Sequence, residues 1–388
     1  MKIAMVTPYP VDPRQIVGGV AGAAKYLVDE LSKDPGIRIT VVVPQGARQR
    51  ETVREEWGPV TVYRLGRRGV WGFLPGTLYD IAAGRKQVND FIRGLEPDIV
   101  HYQGATFLAA GCRRRNVLTI HGIAEKDALW EERGILRRRL KWTLLKLTED
   151  FGRRRAPRVI LISDYVREVL PENGSRKIWS IENPIADSFF DVSWEPEPGR
   201  IFCCSRIMAR KNILGMIEAF KLLLRRLPHC RLRIAGTADP RYLRACRAQV
   251  EKDGLRSCVS FLGNLSVPEV QSELSKANCF AMPSFQETAP LSIAEAMAVG
   301  VPVVAAKVGG IPGMIEHGGT GFLLEPHDAA GIGDALWRIS ADDRLARSMG
   351  RRAKQAVRER YMASSVARRT VGVYREILEA RGSSGGGS

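Results

Sequence analysis

The stretch Cys279–Gly310, CFAMPSFQETAPLSIAEAMAVGVPVVAAKVGG, constrains the fold more than any other part of the chain. The apolar run Cys279–Met282 stops at Pro283, as a strand buried on both faces of a parallel sheet does. Pro290 suits a first helical position, Ala294–Val299 favours helix, Gly300 can close it and Pro302 prevents its continuation. The spacing therefore predicts a helix over Pro290–Val299 between two strands. In such a unit the loop Glu287-Thr288-Ala289 and the helix N-terminus lie at the carboxyl end of a strand, where open α/β sheets bind ligands and free backbone N–H groups attract phosphate. Glu287 in the loop and Glu295 a little over one turn inside the helix do not share a helical stripe, so they can grip different parts of one elongated ligand. Two carboxylates there suit hydroxyl groups such as those of ribose and a hexose. Spacing alone also allows Glu295 to be an ordinary solvent-facing residue.

The N-terminal half opens as strand, helix, strand over Lys2–Thr7, Gly22–Ser32 and Arg38–Pro44. Gly18 and Gly19 fall in the first loop and can let backbone approach a phosphate, or simply form a surface turn. With glycines at 18, 19 and 22 the dinucleotide pattern G-x-G-x-x-G fails, which weighs against a dehydrogenase. Further strands are predicted at Val60–Leu65, Ile99–Tyr102, Val117–Ile120, Val159–Ser163 and Ile178–Glu182. His121 follows the third of these at its carboxyl end, either in a cleft or as a satisfied structural group; His101 is the weaker candidate. The Pro-rich passage Asn183–Arg200 reads as a boundary between a domain over 1–190 and another over 198–360. The second opens with the strand Ile201–Cys204, then Arg206-x4-Lys211 and a helix from Ile213. Two cations across a strand-to-helix loop can clamp a diphosphate, Arg through two oxygens and Lys as a point charge.

The segment Arg133–Arg155 is unusual. Leu136, Leu140, Leu144, Leu147 and Phe151 recur at helical spacing, and nine Lys or Arg against Glu149 and Asp150 give a local balance of +7. Such a helix suits an anionic membrane surface, or it packs on the core with a solvated basic back. The whole chain carries +17, which calls for an anionic partner. A nucleic-acid role lacks a recognised motif or an aromatic–basic platform. Seven scattered cysteines without a C-x-x-C pair fit reduced thiols and neither zinc nor disulfides. With no run of about 18 apolar residues and Met1–Val6 leading straight into a strand, a cytoplasmic protein is expected. Residues 382–388, GSSGGGS, read as an appended linker.

Glu287-x7-Glu295 within SFQETAPLSIAEAMAVGVPVV, together with Arg206-x4-Lys211 and the passages Asp98–Gly104 and Leu118–Gly122, resembles the family 4 retaining glycosyltransferases. The resemblance implies a GT-B fold: α/β, two doubly wound Rossmann-like domains facing across a cleft. It also implies that the helix over 361–381 returns to the first domain. A nucleotide-sugar donor would sit on the second domain and a glycan or lipid-linked acceptor on the first. By resemblance Glu287 contacts the donor sugar, Glu295 the ribose, and Thr288, Ala289, Pro290, Leu291 and Ser292 the sugar and phosphates. Arg206 and Lys211 would hold the diphosphate without a metal or other cofactor, Gly18 and Gly19 would lie near it, and His121 near the reacting sugar. A sugar-nucleotide epimerase of the same fold and a non-enzymatic polyanion-binding protein are the alternatives.

Overall fold

The structure, a computed structural model, describes residues 1–12, 16, 18–44, 51–66, 77–130 and 134–380. Arg133 and the 382–388 tail lie outside the described residues. Among these residues the strands of the first sheet are β1 (Lys2–Val6), β2 (Arg38–Val43), β3 (Val53–Trp57), β4 (Val60–Arg64), β5 (Ile99–Gln103), β6 (Asn116–Ile120), β7 (Arg158–Leu161) and β8 (Lys177–Ser180). They run in the order β3-β4-β2-β1-β5-β6-β7-β8, parallel except for β3. The second sheet contains β9 (Arg200–Cys204), β10 (Arg231–Ala235), β11 (Val259–Gly263), β12 (Cys279–Met282), β13 (Val303–Ala306) and β14 (Gly321–Leu324). Its order is β11-β10-β9-β12-β13-β14, all parallel.

Helices α1 (Gly19–Leu31), α2 (Thr77–Leu95), α3 (Thr106–Ala109), α4 (Ala124–Ala128) and α5 (Ile135–Arg155) connect the first set. Those of the second are α6 (Ile213–Leu224), α7 (Pro240–Lys252), α8 (Val267–Lys276), α9 (Leu291–Val299), α10 (Ala329–Ala341) and α11 (Asp343–Tyr361), and α12 (Ala363–Glu379) follows them. Strand alternation sorts the second core into two layers. Ile201, Cys203, Cys279 and Ala281 face α6, α7 and α10, while Phe202, Phe280 and Met282 face α8, α9 and the end of α11. A strand buried on both faces must be apolar throughout, which is why CFAM carries no polar side chain.

The chain crosses between the sheets at the very start of the Pro-rich passage. Ile185, Phe189 and Phe190 are buried with Phe202 and Phe280, so residues assigned by sequence to 1–190 pack in the second core. The change falls near Asn183-Pro184, because the aromatic pair gains more from that core than the polar stretch gains from ending the first domain. Helix α12 packs against α1. Its Tyr374 hydroxyl lies 2.6 Å from His101 Nδ1, and Trp179 Nε1 donates to Glu376 at 2.8 Å. Glu182 bridges the crossover to Arg360 at 2.8 Å and Arg369 at 2.9 Å.

Three local expectations change. Helix α1 begins at Gly19, three residues before the predicted start, since a first turn needs no N–H partners and tolerates glycine. Pro290 flanks α9 instead of opening it, with ψ at 121°. Strand β3 and helix α2 were not anticipated: VREEW is a polar edge strand with no hydrophobic run to mark it.

The basic helix divides between the two sequence readings. Its apolar stripe is divided: Phe151 packs on Phe107, whereas Leu140 and Leu147 are 72% and 64% exposed. Arg153, on the supposedly solvated side, is fully buried.

Candidate functional site

The carboxyl ends of β9, β12 and β13 converge on the loop before α9. Close backbone approach at this point depends on glycine. A Cβ on Gly309 would fall 1.8 Å from the Glu287 carbonyl oxygen, one on Gly310 1.9 Å from that of Thr288, and one on Gly236 2.0 Å from that of Ser205. Asn212, left-handed at φ 53°, caps α6 and donates through Nδ2 to Pro283 O at 3.0 Å and Pro326 O at 2.7 Å, tying three loops together.

On this scaffold Lys211 is ion-paired with Glu287, whose side chain is buried. Arg210, not anticipated from sequence, donates to Gln286 O at 2.9 Å and lies 3.9 Å from Glu287 Oε2. Arg206 is exposed just past the end of β9. Thr288 and Pro290 are buried; Ala289, Leu291 and Ser292 are half-buried at the start of α9. Glu295 is half-buried too, and burial pushes its carboxyl up to about 7. The solvent-facing alternative therefore gives way: α9 is a core helix, and a position one turn inside it cannot reach bulk water freely.

Across the cleft, α1 comes close enough for a Cβ on Gly22 to lie 3.4 Å from Leu291. Gly18 takes φ 92°, and a Cβ on Gly18 or Gly19 would meet nothing within 4 Å, so both face open space. His121 follows β6, is buried, and shares a short hydrogen bond with Gln103, the last residue of β5. Burial lowers its pKa to about 4, against a smaller opposing effect of Asn183, so the ring is neutral near pH 7. With the amide oxygen of Gln103 accepting from Nε2–H, Nδ1 keeps its lone pair and has no hydrogen-bond partner of good geometry. His101 is a structural group, with Nδ1 at Tyr374 and Nε2 2.7 Å from Thr119 Oγ1.

The two halves also touch directly. Ser163 Oγ donates to Thr288 O at 3.0 Å, Tyr165 OH lies 3.2 Å from Gln286 Oε1, Arg210 reaches Asp127 at 3.2 Å, and Trp130 stacks on Phe285 at 4.6 Å. None of these partners could be matched from sequence, because each pairs loops far apart in the chain. Adjacent glycines after a predicted strand were the one available signal for Gly309 and Gly310. Chemically, the site offers cations beside a helix N-terminus, two carboxylates as hydroxyl acceptors, and a neutral histidine opposite them. Among the described residues, no group of three or more His, Cys, Asp or Glu side chains is arranged to hold a metal ion.

Comparison with known proteins agrees with this arrangement. Sucrose-phosphate synthase from Thermosynechococcus elongatus superposes with a TM-score of 0.80 at 20% identity, over 98% of this chain and 99% of the other. The Anabaena protein HepE, in complex with UDP-glucose, superposes at 0.70 and 19% identity over 97% and 100%. Two doubly wound sheets meeting in this way define the GT-B fold. By sequence, an uncharacterized glycosyltransferase of Methanocaldococcus jannaschii is 27% identical over 98% of this chain and its own full length. Residues 17–189 match the family described as Glycosyltransferase Family 4, and residues 185–356 that described as Glycosyl transferases group 1. The chain belongs to the family 4 glycosyltransferases.

Proposed function

We propose that this glycosyltransferase moves a hexosyl group from a nucleoside-diphosphate sugar to an acceptor hydroxyl with retention of configuration. The Lys211–Glu287 pair at the start of α9 carries the reading. Without substrate the two charges satisfy each other; a diphosphate competes for the ammonium and frees the carboxylate to accept hydroxyl hydrogens from the sugar. As the bond from the anomeric carbon to the diphosphate oxygen breaks, charge grows on the leaving group. Lys211, Arg206 and the free N–H groups of α9 stabilise it there, with no metal or other cofactor in that role. Glu295 accepts from ribose, Gly18 and Gly19 admit the diphosphate closely, and Nδ1 of His121 accepts from a sugar hydroxyl. The UDP-glucose complex of HepE, a neighbour in fold, is consistent with a donor of this class.

The acceptor is a glycan or a lipid-linked glycan, presented at an anionic membrane surface on the cytoplasmic side. The exposed Leu140 and Leu147 with Arg139 and Lys146 on α5 favour this, since apolar area and cations together hold a protein at such a surface. Among the described residues no helix is long and apolar enough to cross a membrane.

Thermal shifts with UDP, GDP and ADP identify the base. Glu295→Ala should weaken the preferred nucleotide by about 1–3 kcal/mol, and Lys211→Ala should lower turnover strongly. Unchanged nucleotide affinity in both variants would remove the donor site from this loop. NMR of the product's anomeric proton tests retention.

A further inference from the structure

We infer that Asp127 is a positioning residue of the transfer reaction: from the opposite domain it holds Arg210, and through Arg210 the loop that carries Glu287. The inference rests on the reading of 285–288 as the donor loop.

Helix α4 begins three residues after His121 and has five residues, too few to hold its own shape. Its three consecutive charged side chains go in three directions. Glu125 turns inward and takes both terminal nitrogens of Arg153, at 2.5 and 3.0 Å. Lys126 donates to the Tyr165 hydroxyl at 2.9 Å and lies 3.4 Å from Glu168. Asp127 crosses to Arg210 at 3.2 Å. Just beyond the helix, Trp130 lies flat on Phe285, with an interplanar angle of 3°. Besides the contacts of Ser163 and Tyr165, α4 and the residues just after it thus grip the donor site at two points, ring on ring at Phe285 and charge on charge at Arg210.

The inward grip is stiff and the outward one weak. Arg153 is fully buried, with Glu149 and Asp150 each 3.5 Å away besides Glu125. An apolar pair of similar volume would serve stability at least as well, so what the buried fork adds is a fixed position for α4. The Asp127 side chain, by contrast, is 41% exposed and Arg210 18%, and burial pushes the Asp127 carboxyl up, so the cost of desolvation offsets much of the attraction and the pair adds little to stability. It nevertheless reaches the guanidinium next to the donor-site pair. Without the Asp127 charge, the carboxylate nearest Arg210 among the described residues is Glu287 at 3.9 Å, and Arg210 then competes with Lys211 for it. A contact that can break and re-form at small cost, yet sets the partner of Glu287, orders the donor loop when the domains meet.

The test compares Asp127→Asn, Asp127→Glu, Arg210→Gln and the Asp127→Asn/Arg210→Gln double variant. The substrate is whichever of UDP-glucose, UDP-N-acetylglucosamine and GDP-mannose the parent consumes fastest. Asp127→Asn should lower kcat at least tenfold while the melting temperature and the Kd for the free nucleoside diphosphate stay near the parent's. Asp127→Glu should recover part of the loss, and the double variant should be no slower than the slower single variant. A kcat for Asp127→Asn within twofold of the parent overturns the inference. So do losses that multiply in the double variant, or a loss that tracks melting temperature. If the donor-site reading itself is wrong, Lys211→Ala and Glu295→Ala leave nucleoside diphosphate affinity unchanged, a result independent of the Asp127 variants.

Discussion

Glu295 and His121 stand on opposite walls of the cleft, and burial drives both toward their neutral forms. For Glu295 the folded pKa of about 7 exceeds the ordinary 4.5, so ionisation is penalised in the fold. Its contribution to stability is complete below pH about 4.5 and is lost as pH rises through 7. The melting temperature of the parent relative to Glu295→Gln should therefore fall between pH 5.5 and 8.5; a constant difference would mean that the carboxyl titrates normally. Nucleotide affinity should move the other way, improving as the carboxylate forms. His121, lowered to about 4, is already neutral and does not change protonation state near pH 7. Its replacement by Ala should reduce kcat tenfold or more, on the order of 1.4 kcal/mol in barrier, without adding an inflection to the pH–rate profile above pH 5. Full activity in a destabilised His121→Ala protein would make the residue structural.

At the level of elements, α5 shows how far periodicity can be trusted. Its repeat correctly marked an amphipathic helix, but tertiary contacts decided which part of the stripe is covered. A Cβ on Gly152 would lie 2.5 Å from Thr106 O, so the C-terminal end of α5 sits hard against α3 while Leu140 and Leu147 remain in the open. Leu140→Ser should accordingly change stability by no more than about 0.5 kcal/mol. Arg153→Met, which leaves Glu125 buried without its partner, should cost about 3–5 kcal/mol in urea unfolding. Replacing Arg138, Arg139 and Lys141 by Gln should abolish cosedimentation with anionic vesicles at low salt and spare nucleotide binding. A parent protein that ignores such vesicles would leave the basic face to a polyanionic soluble acceptor.

For the molecule as a whole, the C-terminal helix decides whether the first domain is complete. Val366, Val373, Tyr374 and Ile377 of α12 are buried with Ile3, Leu27 and Val41, closing a core that the first domain's own helices leave uncovered on that face. Tyr374→Phe would strand Nδ1 of buried His101 and should lower stability by about 1–3 kcal/mol. If calorimetry finds that variant as stable as the parent, α12 is held by apolar packing alone. The Glu182 bridge to Arg360 and Arg369 sits where the chain passes between domains and again where it returns, so it lies at the pivot of any opening of the cleft.

The sequence by itself determined the alternation of strand and helix, the strand–loop–helix unit at 279–310, and the residues whose chemistry is local: Lys211 after its strand, Glu287 in its loop, His121 at a strand end. These follow from hydrophobic period, proline and glycine placement, and short spacing, which are properties of neighbouring residues. The tertiary structure alone decided the burial that raises Glu295, the inward turn of Arg153, the home of Phe189 and Phe190, and the meeting of Asp127 with Arg210. Each of those depends on which surfaces pack together across long stretches of chain. Burial and electrostatic partners are set by that packing, and a linear pattern carries no record of it.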